Sequence, residues 1–204
     1  MATIGLDKPF YAKITEDENG NESYGTPKVM AKAIDVDLSI ELLQAILYAD
    51  DGADVVVNQF KQGTFSIGIN DLAPSVAADL LGTTVDKNGA VVYSIEDVAE
   101  PVAVGFRALK PNGKYRYFWL YKVTFSVPSD KFETKKDSIN FQTPQLTGTV
   151  TRRNKPDSKG KHQWKTEITE GEDGVSDSVI SGWFDEVYEP DYTAAQSNSQ
   201  QSGS

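Results

Sequence analysis

The residues best suited by type to chemistry lie in YADDGADVVVNQFKQGTFSIGINDL, residues 48–72, where Asp50, Asp51 and Asp54 surround Gly52. Clustered carboxylates suggest a divalent cation first. An EF-hand loop needs alternating oxygen ligands, a central glycine and a glutamate at its twelfth position. Counting from Asp50 that position is Lys61, a cation, so no metal is expected here. The one histidine, His162, sits in GKHQWK. Nucleophilic triads and zinc centres draw on more than one convergent group, and no GxSxG, HExxH or GxxxxGK[ST] occurs. His162 therefore reads as a surface contact beside Trp164. The absence of cysteine removes thiol nucleophiles, zinc–thiolate sites and disulfides together. Neither catalysis nor a cofactor is expected.

Two further groups carry charge in a suggestive pattern. Arg107, Arg116 and Lys122 accompany Tyr115, Tyr117, Phe118, Trp119 and Tyr121, as on the stacking face of a single-strand nucleic-acid binder. A buried strand with amphipathic ends has the same pattern, and a net charge of −10 with a pI near 4.6 favours that reading. The second group is RRNKPDSKGKHQWK, where Arg152, Arg153, Lys155, Lys159 and Lys161, with Lys165, make a basic, turn-rich loop in an acidic chain. It reads either as a solvated loop or as a docking surface for an acidic partner. A second copy could supply that partner through residues 49–63 or through EGEDG at 170–174. Head-to-tail contacts of this kind build rings or filaments.

These groups must be positioned by strands. The chain's 204 residues suit one domain with tails, and no apolar run reaches a membrane-spanning length. MATIGLDKPFYAK lacks a basic then apolar leader, so a protein made and used without export is expected. PFYAKI is strand-like and runs into an Asn-Gly turn. In AKAIDVDLSIEL, Ile34, Val36, Leu38, Ile40 and Leu42 alternate with Asp35, Asp37, Ser39 and Glu41, which predicts a strand with one core face and one acidic face. LQAILY could prolong it, and TFSIGIN resumes the alternation. The stretch 49–63 then reads as a loop of roughly a dozen residues, long for a hairpin.

PSVAADLLGT predicts a short helix, with Pro74 in its first turn, Asp71 as a possible cap and Gly82 at its close. VAVGFRAL and KYRYFWLYKVTF flank the turn KPNGK as a hairpin whose second strand is apolar on both faces and so central. SINFQTPQLTGTVT reads as a strand interrupted at Pro144. SDSVISGWFDEVYEP places Val179, Ile180, Trp183, Phe184 and Val187 at helical spacing behind a Ser/Asp cap, predicting a C-terminal amphipathic helix on the sheets. AAQSNSQQSGS is a polar tail. No internal repeat is present. The sum is a mainly β protein, an antiparallel β-sandwich with helical decoration.

The order of these segments resembles a known family. GLDKPFYAKITEDENGNESYG, the LYADDGAD stretch with GTFSIGINDLAPSVAADLLG, AVGFRALKPNGKYRYFWLYKVTF, INFQTPQLTGTVTRRNKPDSKGKHQWK and WFDEVYEP together are similar to the major tail (tail tube) proteins of siphophages infecting Gram-positive bacteria, over residues 4–190. The resemblance implies a tail-tube fold, two packed antiparallel β-sheets with a flanking helix and a C-terminal helix. It implies a tube domain over 1–190 and a disordered polar tail over 191–204.

It also implies a structural protein, with hexameric rings stacking into a tube whose inner strands line a DNA channel. The expected partners are further copies, the tape measure protein, the tail terminator and distal tail or baseplate proteins, with no membrane. Assembly in the host bacterial cytoplasm and residence in the virion tail follow from it. Asp50, Asp51, Asp54, Val55, Val56, Val57, Phe60 and Lys61 take the place of the family's long inter-subunit or inter-ring loop. Asp35, Asp37 and Glu41 fall on a strand the family places in the inner sheet, where carboxylates would repel passing phosphates. The competing reading is a baseplate-type β-sandwich that binds carbohydrate or serves adhesion. Some proteins of the family add an immunoglobulin-like C-terminal domain, which is not expected after EVYEP.

Overall fold

The computed structural model describes residues 5–18, 20–49, 52–128 and 143–192, and the side chains of 46–56 are left aside. The fold is mainly β and antiparallel throughout. Strand β1 (Gly5–Glu16) turns back through β2 (Glu22–Tyr24) and β3 (Lys28–Val29). The long strands β4 (Ala33–Ala49) and β5 (Gly52–Ile69) precede helix α1 (Pro74–Leu81) and a small arm, β6 (Thr84–Val85) with β7 (Val91–Val92). Then come β8 (Val102–Leu109), β9 (Tyr115–Ser126), β10 (Gln145–Val150), β11 (Lys165–Thr169) and helix α2 (Asp177–Ser181).

The main ladder runs β2-β1-β8-β9-β10-β5-β4, and β11 pairs with the first half of β9 while β10 pairs with its second half. On a flat sheet β1 and β4 would stand about 24 Å apart, five strand spacings. Here they come within 8 Å, Cα to Cα, so the ladder curls over into two facing layers, consistent with a β-sandwich. Phe65 of β5 accordingly meets Phe106 of β8 with ring centroids 5.9 Å apart.

The period-2 pattern decides what each layer buries. Phe65, Ile67 and Ile69 of β5, Leu146 and Val150 of β10, Val123 and Phe125 of β9 and Val102, Val104 and Phe106 of β8 fill the interior. Helix α1 adds Val76, Leu80 and Leu81 to the same core. Its cap differs from the sequence expectation. Ala73 is the N-cap, with no side-chain bond, while Asp71 accepts from the next backbone N–H, that of Leu72, at 2.9 Å. Gly82 closes the helix at φ 72°, and a Cβ there would lie 2.2 Å from the Val98 carbonyl oxygen. Both facts require glycine.

Strand β9 is central and buried on both sides, as its sequence suggests. Its second apolar face, Tyr117, Trp119 and Tyr121, lies on the outside of the curled sheet with Ala12 and Ala103. Trp119 spans this face against β8, and a Cβ on Gly105 would sit 2.8 Å from its ring.

The C-terminal segment covers that face. The expected helix over 176–190 is only α2, Asp177–Ser181, with the Ser176 hydroxyl accepting from Val179 N–H at 3.4 Å. After Gly182 the chain leaves the helix, yet Trp183 and Val187 are still buried. The apolar spacing marked which residues are covered, and not how far the helix runs. Phe10 stacks on Phe184 at 4.7 Å, Trp183 stacks on Tyr188 at 4.7 Å, and the Trp119 indole donates to the Trp183 carbonyl at 3.0 Å.

Candidate assembly surface

Beyond the body the β4–β5 hairpin continues as a two-stranded ribbon. The ladder extends from Leu42↔Phe60 through Ile46↔Val56 to Ala49↔Gly52. This corrects the loop expected over 49–63. Val55, Val56, Val57, Phe60 and Lys61 are strand residues, and pairing runs to Ala49↔Gly52, so that of the expected loop only 50–51 fall off the ladder, outside the described residues. The expectation failed because DVVVNQFKQG lacks clean alternation. Bulges at Glu41/Leu42 and Leu47/Tyr48, each with one extra residue on β5, scramble the period without ending the pairing.

Consecutive strand residues point to opposite faces. Leu42 is 54% exposed and Leu43 53%, with Val57 at 53% on the partner strand, so neither face of the ribbon is covered where it leaves the body. The sequence reading put Ile34, Ile40 and Leu42 on the core face with Val36 and Leu38. Only Val36 and Leu38 pack against the core, and Ile34, Ile40 and Leu42 are exposed. A bulge between Ala33 and Asp35 turns Ile34 outward, and the strand has outrun the opposing layer by Ile40.

The root of the ribbon is held firmly. Phe60 stacks flat on Trp164, centroids 4.5 Å apart and planes within 1°, which assigns it to the ribbon's anchorage rather than to a free contact. Lys61, the extra residue of the bulge, pairs with Glu41 at 3.3 Å. Of the acidic trio, Asp50 and Asp51 lie outside the described residues, and Asp54 is strand backbone. Among the described residues no group of three His, Cys, Asp or Glu is placed to hold a metal ion, and no helix is long and apolar enough to cross a membrane.

Asp35, Asp37 and Glu41 are all exposed and share one face of β4 with Ser39. The register sets Asp37 beside Ser66 and Ser39 beside Thr64, then Thr147 and Thr149 of β10, then Ser126 and Thr124 of β9. The Ser66 and Thr147 hydroxyls are 3.3 Å apart. The result is a four-strand surface of hydroxyls and carboxylates whose reverse side is the core. Its hydroxyl members escaped the sequence reading. Their signal is the reverse parity of TFSIGI, VTFS and QLTGTV, where hydroxyls alternate with the apolar residues.

The basic loop divides in two. Arg153 is fully buried, its guanidinium bonding Gln163 at 2.9 Å and Glu189 at 2.6 Å and lying 4.5 Å over the Tyr121 ring. It cannot dock anything. Lys155 pairs with the same Glu189 at 2.9 Å. Arg152, Lys159 and Lys161 are exposed, with the Lys159 ammonium 3.8 Å from the centroid of the Tyr192 ring. His162 is exposed as expected. The cations near the β9 aromatics are likewise committed, Arg107 to Asp7 at 2.5 Å, Arg116 to Glu167 and Lys122 to Glu22.

Two carboxylates, Glu22 buried and Asp79 half-buried, knit these elements together. Glu22 is pushed up by burial, but Lys122 and the backbone N–H groups of Asn154 and Lys155 more than offset this and hold it below the usual carboxylate range. Asp79 of α1 is also raised by burial, and bonds from Lys13, Tyr11 and Lys28 outweigh it to leave the pKa at about 2.

No protein-family model and no curated protein matches the chain. Among solved structures, a chain from "Cryo-EM structure of the anti-feeding prophage (AFP) baseplate, 6-fold symmetrised" is similar over 82% of this chain and 97% of that one, with a TM-score of 0.36 and 8% identity. A likeness of that degree carries no argument about function.

Proposed function

We propose that this protein is a structural, non-catalytic component of a phage-type tail, in which copies assemble as six-membered rings stacked into a tube. The observation that carries the reading is the uncovered ribbon. A two-stranded hairpin is marginal in water by itself, and one that exposes leucines on both faces lowers its free energy by entering a neighbour. The segment order that resembles tail tube proteins gives that neighbour an identity, a second copy.

The polar sheet face then lines the channel. Carboxylates at Asp35 and Asp37 repel phosphates, and the surrounding serine and threonine hydroxyls offer no cation to hold them, so DNA passes without adhering. The protein would accordingly reside in the virion tail, next to the proteins that fill, end and cap the tube. Negative-stain microscopy of the purified chain over a concentration series tests this. Rings or tubes with an open centre are expected as concentration rises, and a monomer at every concentration, with or without a tail-tip nucleus, would overturn it.

A further inference from the structure

The segment after the β6–β7 arm carries exposed apolar side chains that the ribbon and the channel face do not account for. Ile95 is 96% exposed, Val98 75% and Tyr93 54%. They stand on a built turn. Ser94 N–H donates to the Asp97 carboxylate at 2.7 Å, Asp97 N–H donates to the Ser94 carbonyl at 3.1 Å, and the Val98 backbone is seated against Gly82 at the end of α1. Glu96 and Glu100 are exposed beside them. The turn thus presents an apolar tip flanked by carboxylates.

Resting on the reading that copies of this chain assemble, we infer that the turn at 93–98 docks on the basic loop at 152–161 of a second copy. Charge complementarity selects that occupant. Lys13, Lys28, Lys61, Lys110, Arg116, Lys122 and Lys165 are engaged by carboxylates within their own chain. Arg152, Lys159 and Lys161 make no ion pair among the described residues; Lys8, Lys32, Lys87 and Lys114 make none either, but they lie on separate segments, whereas these three fall within one loop. The loop offers apolar surface to Ile95 in exposed Pro156, and the Tyr192 ring lies against its Lys159. The turn and the loop are different surfaces, so the contact is head-to-tail and can propagate.

Because the chain has no cysteine, single cysteines report this contact cleanly. Full-length Ile95→Cys and Ser158→Cys proteins are mixed under mild oxidation and compared with Ile95→Cys mixed with Asn112→Cys, another exposed turn position. A docked pair raises the local thiol concentration, so the 95–158 disulfide dimer should form at least about tenfold faster than the control. Glu96→Lys with Glu100→Lys in the first protein should abolish that excess, and Arg152→Glu with Lys161→Glu in the second should restore it. Equal rates for the 95–158 and control pairs would overturn the inference. Rings or tubes that form while those rates are equal would leave the assembly reading standing and remove this contact alone.

Discussion

Two apolar surfaces of this molecule, one aromatic and one aliphatic, end differently. The outer face of β9 carries Tyr117, Trp119 and Tyr121, and the chain returns at 183–188 to bury it. The ribbon at 42–60 carries Leu42, Leu43 and Val57, and among the described residues nothing returns to it. The first surface is closed by the chain's own C-terminal segment, which leaves α2 at Gly182 and sets the Trp183 carbonyl to accept from the Trp119 indole. The second is anchored only at its base, by Phe60 on Trp164. If the ribbon is the assembly surface proposed above, folding and assembly use separate surfaces, and substitutions should separate them as well.

The largest effect should come from the closed surface. Trp183→Ala removes a buried ring and its stacking on Tyr188, and should cost about 3–5 kcal/mol in urea unfolding of the monomer. Slightly below it comes Glu22→Ala, which strips Lys122 and two backbone N–H groups of their acceptor and should cost about 3 kcal/mol by the same measurement. Both act on the body, and a comparable loss from a ribbon substitution would break the comparison.

Acid sharpens it further. Asp79 and Glu22 are held below their ordinary pKa in the folded protein, so their contribution is fully present above the unfolded carboxylate pKa and is lost as protons bind. Monomer stability should therefore fall progressively as pH drops from about 4.5 towards 2, as urea midpoints taken across that range would register. The Asp79→Asn variant should flatten the lower part of that decline.

The smallest effect on the monomer belongs to the ribbon. Leu42→Asp with Leu43→Asp should shift monomer stability by no more than about 0.5 kcal/mol, because both side chains are already in water. The same pair should abolish rings and tubes in negative stain. Asp35→Lys, Asp37→Lys and Glu41→Lys together should leave the fold and the rings intact while making the assembled channel retain DNA, readable by nuclease protection. Intact assembly with no DNA retained would remove the channel assignment of that face.

Much of this was legible in the sequence because period-2 patterns survive wherever both layers are present. TFSIGI and QLTGTV each bury the parity their alternation marks. The Asn-Gly turn of KPNGK delivers the β8–β9 hairpin through Gly113 at φ 79°. What was illegible depends on where the opposing layer ends. Alternation in AKAIDVDLSIEL cannot tell that Val36 meets a core and Leu42 does not. Nor could charge alone tell Arg153 from Arg152, since only the fold brings Glu189 and Tyr121 around one of them. The candidate surface was half legible for the same reason. Asp35, Asp37 and Glu41 do share an exposed face, while a ribbon whose period is broken by two bulges reads as a loop.

The central claim is that the ribbon is covered by neighbouring copies. Backbone hydrogen exchange at residues 42–60, measured on dilute monomer and on assembled protein, tests it directly. In the monomer these amides should exchange far faster than those of β9, and on assembly their protection should rise by at least about a hundredfold, some 2.7 kcal/mol. Assembled protein in which the ribbon exchanges as freely as in the monomer would contradict the account.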